Sequence, residues 1–223
     1  MELDKVYEKR FRPEEWKHRD QMWNILCEHF FNQWLAPNDD ILDIAAGYCD
    51  FINNAAQGSH MGRRIAVDLN PDIKKHAHDF VETYHAPAQA LDFLEDASMD
   101  KVFVSNFFEH VPQKEDILKI LREIARVLRP GGRLLILQPN IKYLTGEYWD
   151  FFDHYTPLTE RSMCEALEIA GGYKVLKVIN RFLPYTTKSK IPQALWMIRL
   201  YCHVPFAWRI MGKQMFIVAE KIK

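Results

Sequence analysis

The sequence predicts an α/β fold: a doubly wound, mostly parallel sheet with helices on both faces. Three observations carry that prediction. Short apolar runs rich in Val, Ile and Leu alternate with amphipathic helical stretches along most of the 223 residues. Acids (Asp43, Asp68, Asp92) stand in or just after the first three runs. A small-residue turn, "AAGYC", follows the first run directly. In sheets of this kind ligands sit beyond the carboxyl ends of the strands, where strand order reverses, so that turn is the leading site candidate.

The elements follow in order. A first helix is expected from Pro13 to about Trp34, with Trp23, Leu26, Phe30, Phe31 and Trp34 recurring on one face, and Pro37 stops it. "ILDIAA" (41–46) is the first strand, and a short helix follows Asp50. "RRIAVDL" (63–69) reads as a buried strand, and "NPDIKKHAHDFVETY" as the next helix, with Pro71 suited to its first turn. A weak strand is expected near "AQALDF", a fourth at "KVFVSNFF" (101–108), then a strongly amphipathic helix at 113–128. "RPGG" turns the chain into a fifth strand, "RLLILQPN". Thr159 suits the N-cap of "ERSMCEALEIA", and Gly171–Gly172 close that helix. "YKVLKVINRFL" and "KQMFIVAEKI" supply two more strands.

Composition narrows the function. Half the residues are apolar, a quarter charged, and the formal net charge is −1, which suits one globular domain and exerts no long-range pull on nucleic acid. No nucleic-acid partner is expected. The charged N-terminus does not read as a signal peptide, and no apolar run approaches the roughly 20 residues that span a bilayer. The four cysteines form no CxxC pair and read as reduced, structural thiols in a cytoplasmic protein. His76 and His78 sit two apart and point to different helical faces, a poor ligand pair, and no metal is expected.

Asp68 ends the second strand 21 residues after Gly47, about the spacing of an acid that binds ribose hydroxyls. Its carboxylate can accept two bonds from a cis-diol. Asp92 is placed to meet an adenine amino group, with Leu91 and Phe93 flanking the ring. For any one of these acids a capping or solvated-turn role is as good an account; the three together favour a nucleoside site. A dinucleotide loop needs G-x-G-x-x-G to approach a pyrophosphate. Here those positions are Ala45, Gly47 and Asp50, which suits a ligand without phosphate.

On these residues the sequence resembles the class I S-adenosylmethionine-dependent methyltransferases. In that family a D-x-G-x-G-x-G loop follows strand one, an acid ends strand two, and a D-[LFIV] pair follows strand three. This chain supplies "DIAAGYC", "VDLNPD" and "LDFLEDASMDKVFVSNFFEHVP", with Ala45 and Cys49 in place of two glycines. "LREIARVLRPGGRLLILQPN" and "DHYTPLTERSMCEALEIAGGYKV" are similar to its later segments. The resemblance covers roughly residues 38 to 183 plus the last strand. It implies a Rossmann-like, seven-stranded sheet with an antiparallel last strand, in a single domain over 1–223. It implies S-adenosyl-L-methionine as cofactor, held by Asp43, Ala45, Gly47, Asp68, Leu69, Asp92, Phe93 and Asn106. "SNFFEHVP", "EYWDFFDHYTPLTE" and "RFLPYT" further resemble a bacterial subgroup associated with saccharide and glycolipid assembly.

Methyl transfer is an in-line displacement that aligns acceptor, methyl and sulfur, and a hydroxyl acceptor must also lose a proton. Ser105, Asn106, Glu109 and His110 follow the fourth strand; Gln138, Asn140 and Tyr143 follow the fifth. His154 is the first choice of general base, oriented by Asp153 or Asp150, with His110 a second candidate. Equally, "WDFFDHY" can be a docked loop whose histidine caps the next helix, and Glu109–His110 can simply fix the loop beside the cofactor. Tyr7, Tyr148 and Trp149 are candidates to close over the sulfonium, and Arg19 to pair with the methionine carboxylate; packing and solvent exposure are the plainer accounts.

Two segments lie outside this core. One is an N-terminal helical extension (about 1–37). The other is an aromatic and basic insertion (about 184–212), read either as an acceptor cap or membrane-surface helix, or as a helix packed on the sheet or on the second subunit of a homodimer. The function expected is methyl transfer to an oxygen or nitrogen of a small molecule such as a sugar or lipid-linked saccharide. The alternative is a non-catalytic S-adenosylmethionine or nucleotide-binding protein acting through partners. An RNA or protein methyltransferase is disfavoured by the charge and by the lack of an Asn-Pro-Pro-Tyr-type tetrapeptide, and a nicotinamide dehydrogenase by the lack of a phosphate loop.

Overall fold

The structure, a computed structural model, describes residues 13–58, 61–144, 146–184 and 194–222. Seven strands form one sheet in the order β3-β2-β1-β4-β5-β7-β6. They are β1 (Ile41–Ile44), β2 (Arg64–Asp68), β3 (Val81–His85), β4 (Met99–Ser105), β5 (Leu128–Pro139), β6 (Tyr173–Ile179) and β7 (Gln214–Lys221). β3, β2, β1, β4 and β5 run parallel, while β7 pairs antiparallel with both β5 and β6. Strand order reverses between β1 and β4, whose carboxyl ends form the crevice where a doubly wound sheet takes its ligand.

Alternation along the strands divides the core in two. Leu42, Ile44, Val102 and Val104 face α3 (Lys114–Val127) and α4 (Glu160–Ala170). Ile41, Phe103, Leu135 and Phe216 face α1 (Pro13–His29) and α2 (Asp50–Asn54). That second layer is aromatic: Phe51 stacks on Phe103 with ring centroids 3.7 Å apart, and Phe30 on Phe182 at 3.8 Å. α4 opens on a Thr159–Ser162 capping box and ends at Gly171 and Gly172, both at φ +81°, as the sequence predicts.

The first helix, expected to reach about Trp34, ends at His29 and is followed by a 3₁₀ turn (Phe31–Trp34), and two further elements differ in kind from expectation. The helix expected over 70–84 is a single 3₁₀ turn (Ile73–Lys75) followed by β3. Asn53 decides this: its side chain donates to His76 O and accepts from His78 N, both at 2.9 Å, occupying groups a helix would pair internally. Val81, Thr83 and Tyr84 then favour the sheet edge. The weak strand expected at 88–93 is a loop. Side chains of α3 take its backbone groups, with Glu123 accepting from Leu91 N and Arg126 donating to the Leu91 and Leu94 carbonyls.

The insertion forms two short helices within its described part, α5 (Leu195–Cys202) and α6 (Pro205–Met211). Trp208 docks edge-on against Phe30 and Phe182, and its indole N–H donates to Tyr201 O at 2.7 Å. The opposite side exposes Trp196, Leu200, Phe206, Ile210 and Met211, so the segment is both packed and apolar at the surface. Among the described residues no helix is long and apolar enough to cross a membrane.

Candidate functional site

The turn after β1 is built on unusual backbone. Ala45, Gly47 and Cys49 lie at φ +55°, +53° and +59°, the left-handed region that costs a non-glycine residue about 1 kcal/mol or more. The alanine and cysteine that replace expected glycines therefore keep the glycine conformation. A Cβ added at Gly47 would meet nothing within 4 Å of protein, so the backbone conformation alone restricts this position.

Asp68 closes this turn from the next strand. Its Oδ2 accepts from Gly47 N at 2.7 Å and its Oδ1 from Asn70 N at 2.8 Å, leaving further lone pairs on both oxygens. Asp43 lies beneath, 3% exposed, accepting from the Ile52 amide. Burial, with Asp50 and Asp68 nearby, pushes its carboxyl well above the usual range. It anchors α2 to β1 from the α1–α2 side of the sheet rather than lining the crevice.

A cleft of about 170 Å³ opens at the carboxyl ends of β1, β2 and β4, smaller than the ~300–1,000 Å³ of a whole small-molecule site. Of the residues expected to bind a cofactor, Ala45, Asp68 and Leu69 line it. Asp92 is exposed and Phe93 stacks on Tyr84 with centroids 4.0 Å apart; neither lines it. Ala86, Ala88 and Gln89, just after β3, occupy that wall instead. The sequence reading missed them because it placed the third strand too late. Asn106, at φ +47°, turns the chain out of β4 beside Phe107, a further wall residue. Among the described residues no Lys or Arg lines the cleft, which suits an uncharged nucleoside and disfavours a pyrophosphate.

On the far side stands His110, half-buried and also lining the cleft. Its Nδ1 lies 2.9 Å from Asp153 O and 3.3 Å from Asp153 Oδ2. The Asp153 carboxylate expected to orient His154 thus reaches His110. His154 is buried, and its Nδ1 donates to Tyr148 O at 2.8 Å. The cap of α4 is Thr159, so His154 does not serve there. The segment 148–156 docks on the turn after β4: Tyr155 N and Thr156 N donate to Glu109 O, and Thr156 Oγ1 to Val111 O. Glu109 is 1% exposed; Gln138 Nε2 donates to its Oε2, and burial raises its pKa against the pull of His110. Tyr148 is buried with its hydroxyl on Thr156 O, whereas Trp149 is exposed. Arg19 pairs with Asp50 and lies over the Tyr48 ring. Asn140 is taken up by Glu160 and the Asn180 carbonyl. Tyr7 lies outside the described residues.

Residues 42–136 match the family described as "Methyltransferase domain". The "Ubiquinone/menaquinone biosynthesis C-methyltransferase UbiE" of Pectobacterium carotovorum is 31% identical over 163 residues, 66% of this chain and 61% of that protein. The protein of the same name from Nitrobacter hamburgensis is 36% identical over 108 residues, 44% and 41% of the two. The chain thus spans less than two thirds of the length of these relatives. In fold it is similar to a SAM-dependent methyltransferase from Archaeoglobus fulgidus (TM-score 0.65, 19% identity, 91% of this chain and 94% of that one). It is also similar to a chain of the Haloferax volcanii complex between the Trm112 methyltransferase activator and a methyltransferase (TM-score 0.69, 17% identity, 94% of each chain). Residues 42–136 carry a methyltransferase domain, and the chain has the fold of the class I S-adenosylmethionine-dependent methyltransferases, whose cofactor is S-adenosyl-L-methionine.

Proposed function

We propose that the chain moves the methyl group of S-adenosyl-L-methionine to a small acceptor that carries a hydroxyl group. The observation that carries this reading is Asp68, bonded to the Gly47 amide at the mouth of a cleft lined by no cation. Bound there, the cofactor supplies an electrophilic methyl on a sulfonium sulfur. The remaining lone pairs of Asp68 take the ribose diol. Leu69, Ala86 and Ala88 flank the base, and the Gln89 amide, both donor and acceptor, takes the reading role expected of Asp92. The open space at Gly47 admits the cofactor close to the backbone.

Transfer to an oxygen, or to a carbon conjugated with it, requires the hydroxyl to lose its proton. His110 is the imidazole at the cleft, and Asp153 fixes its ring and tautomer. The relatives named C-methyltransferases favour a carbon beside an ionised hydroxyl over the sugar oxygen or nitrogen expected from the sequence. The left-handed backbone kept at Ala45 and Cys49 supports a cofactor-binding turn, since strain of this kind persists where a site needs it.

The outer face of α5 and α6 supports a lipid-borne acceptor. It exposes large apolar side chains together with Arg199 and Arg209, and the sequence from 184 to 212 contains no Asp or Glu, a combination that suits an anionic membrane surface. The mechanism is tested with His110→Gln, which keeps S-adenosylhomocysteine affinity and lowers turnover of a hydroxylated aromatic acceptor by about 100-fold or more. Turnover at the wild-type rate would remove His110 from the reaction.

A further inference from the structure

Three Lewis bases converge behind the cleft. Glu109, His110 and His154 each bring one ligating atom to within 4.8 Å of the other two. They come from the turn after β4 and from the docked segment 148–156, so the backbone bonds to Glu109 O and Val111 O hold the two halves together. The tautomers are set. A carbonyl can only accept, so Tyr148 O fixes the hydrogen of His154 on Nδ1, and Asp153 O does the same for His110. In the neutral form of each ring Nε2 is then the lone-pair nitrogen. An imidazole with one nitrogen tied to a carbonyl or carboxylate is the usual arrangement of a metal-bound histidine.

The charge balance points the same way. Glu109, 1% exposed, has Gln138 donating to one of its oxygens and two imidazoles beside it, so its carboxyl is held in place as an oxygen ligand whose charge a bound cation would stabilise. From this geometry we infer that Glu109, His110 and His154 form a binding site for one divalent transition-metal ion on the acceptor side of the cleft. Two nitrogens and one oxygen suit Mn2+, Fe2+ or Zn2+, whereas Mg2+ and Ca2+ favour all-oxygen shells. Three protein ligands leave coordination positions for a substrate oxygen, and a cation there makes a bound hydroxyl more acidic. With the ion bound, His110 is a ligand and no longer the base, and the cation takes over activation of the hydroxyl; that use rests on the methyl-transfer reading, whereas occupancy of the site does not.

The test is calorimetric titration of the chelator-stripped full chain with Zn2+, Mn2+ and Mg2+, with S-adenosylhomocysteine titrated in parallel. The expected result is one Zn2+ or Mn2+ per chain, with Mg2+ much weaker. Glu109→Gln and His154→Gln each weaken the ion by at least about tenfold and leave S-adenosylhomocysteine affinity unchanged. No ion binding, or binding that survives both substitutions, overturns the proposal; the second result would place the ion elsewhere, for example at the His29–His203 surface pair. If neither variant folds, pulsed EPR of the Mn2+-loaded His203→Gln chain decides: couplings to two imidazole nitrogens support the site, and their absence overturns it. Ion binding without S-adenosylhomocysteine binding would leave the metal site standing and remove the methyl-transfer reading.

Discussion

Gly47 and Asp68 are the smallest unit of this site, and their roles separate by substitution. Gly47→Ala places a Cβ at φ +53°, costing about 1 kcal/mol of stability, and also fills the open space above the turn. The expected outcome is a small fall in melting temperature with a large fall in S-adenosylmethionine affinity; unchanged affinity would mean that the cofactor does not approach this turn. Asp68→Asn keeps one acceptor oxygen and loses the charge, so calorimetry should show affinity about tenfold weaker. The spacing of Gly47 and Asp68 was legible in the sequence because a strand–turn–strand unit determines it. The left-handed backbone of Ala45 and Cys49 was not, because neither residue type signals that conformation.

At the level of elements, Arg129 ties the start of β5 to β1 and β4. It bonds Asp100 and, at 2.9 Å, Asp40. Burial alone would raise the pKa of Asp100, but the Arg129 and Asp40 hydrogen bonds outweigh it and hold the carboxyl below its usual value. A lowered carboxylate contributes stability above its unfolded pKa of about 3.9, and that contribution is lost as pH falls through the folded value. Arg129→Ala should therefore cost about 1 kcal/mol at neutral pH, and the difference from wild type should shrink in melts below about pH 4. A constant difference across that range would rule out the ion pair as its source. The strongly periodic α3 and the capped α4 were readable because their signals are local. The segment 70–84 was not: its choice between helix and strand rests on the Asn53 side chain, 23 and 25 residues upstream of the His76 and His78 groups it bonds.

For the whole molecule, alternation of strands and helices was enough to expect a doubly wound sheet, and the reversal between β1 and β4 follows from the observed order. The Glu109–His110–His154 cluster was beyond sequence reasoning because His154 lies 44 residues from His110 and meets it only through the docking of 148–156. The face of α5 and α6 is a property of the assembled chain as well, since packing on α1 decides which side stays apolar and exposed. Replacing Trp196, Phe206 and Ile210 by Ser should leave the unfolding free energy within about 1 kcal/mol of wild type and reduce binding to phosphatidylserine-containing vesicles. If the same changes instead convert a dimer to a monomer in light scattering, the face is a subunit interface and the membrane reading falls.

The central claim is a phosphate-free nucleoside site at the carboxyl ends of β1, β2 and β4. Calorimetric titration of the purified chain with S-adenosylmethionine, S-adenosylhomocysteine and NADH tests it most directly. Micromolar binding of both sulfur nucleotides and none of NADH is the predicted result; binding of NADH, or of none of the three, would contradict it.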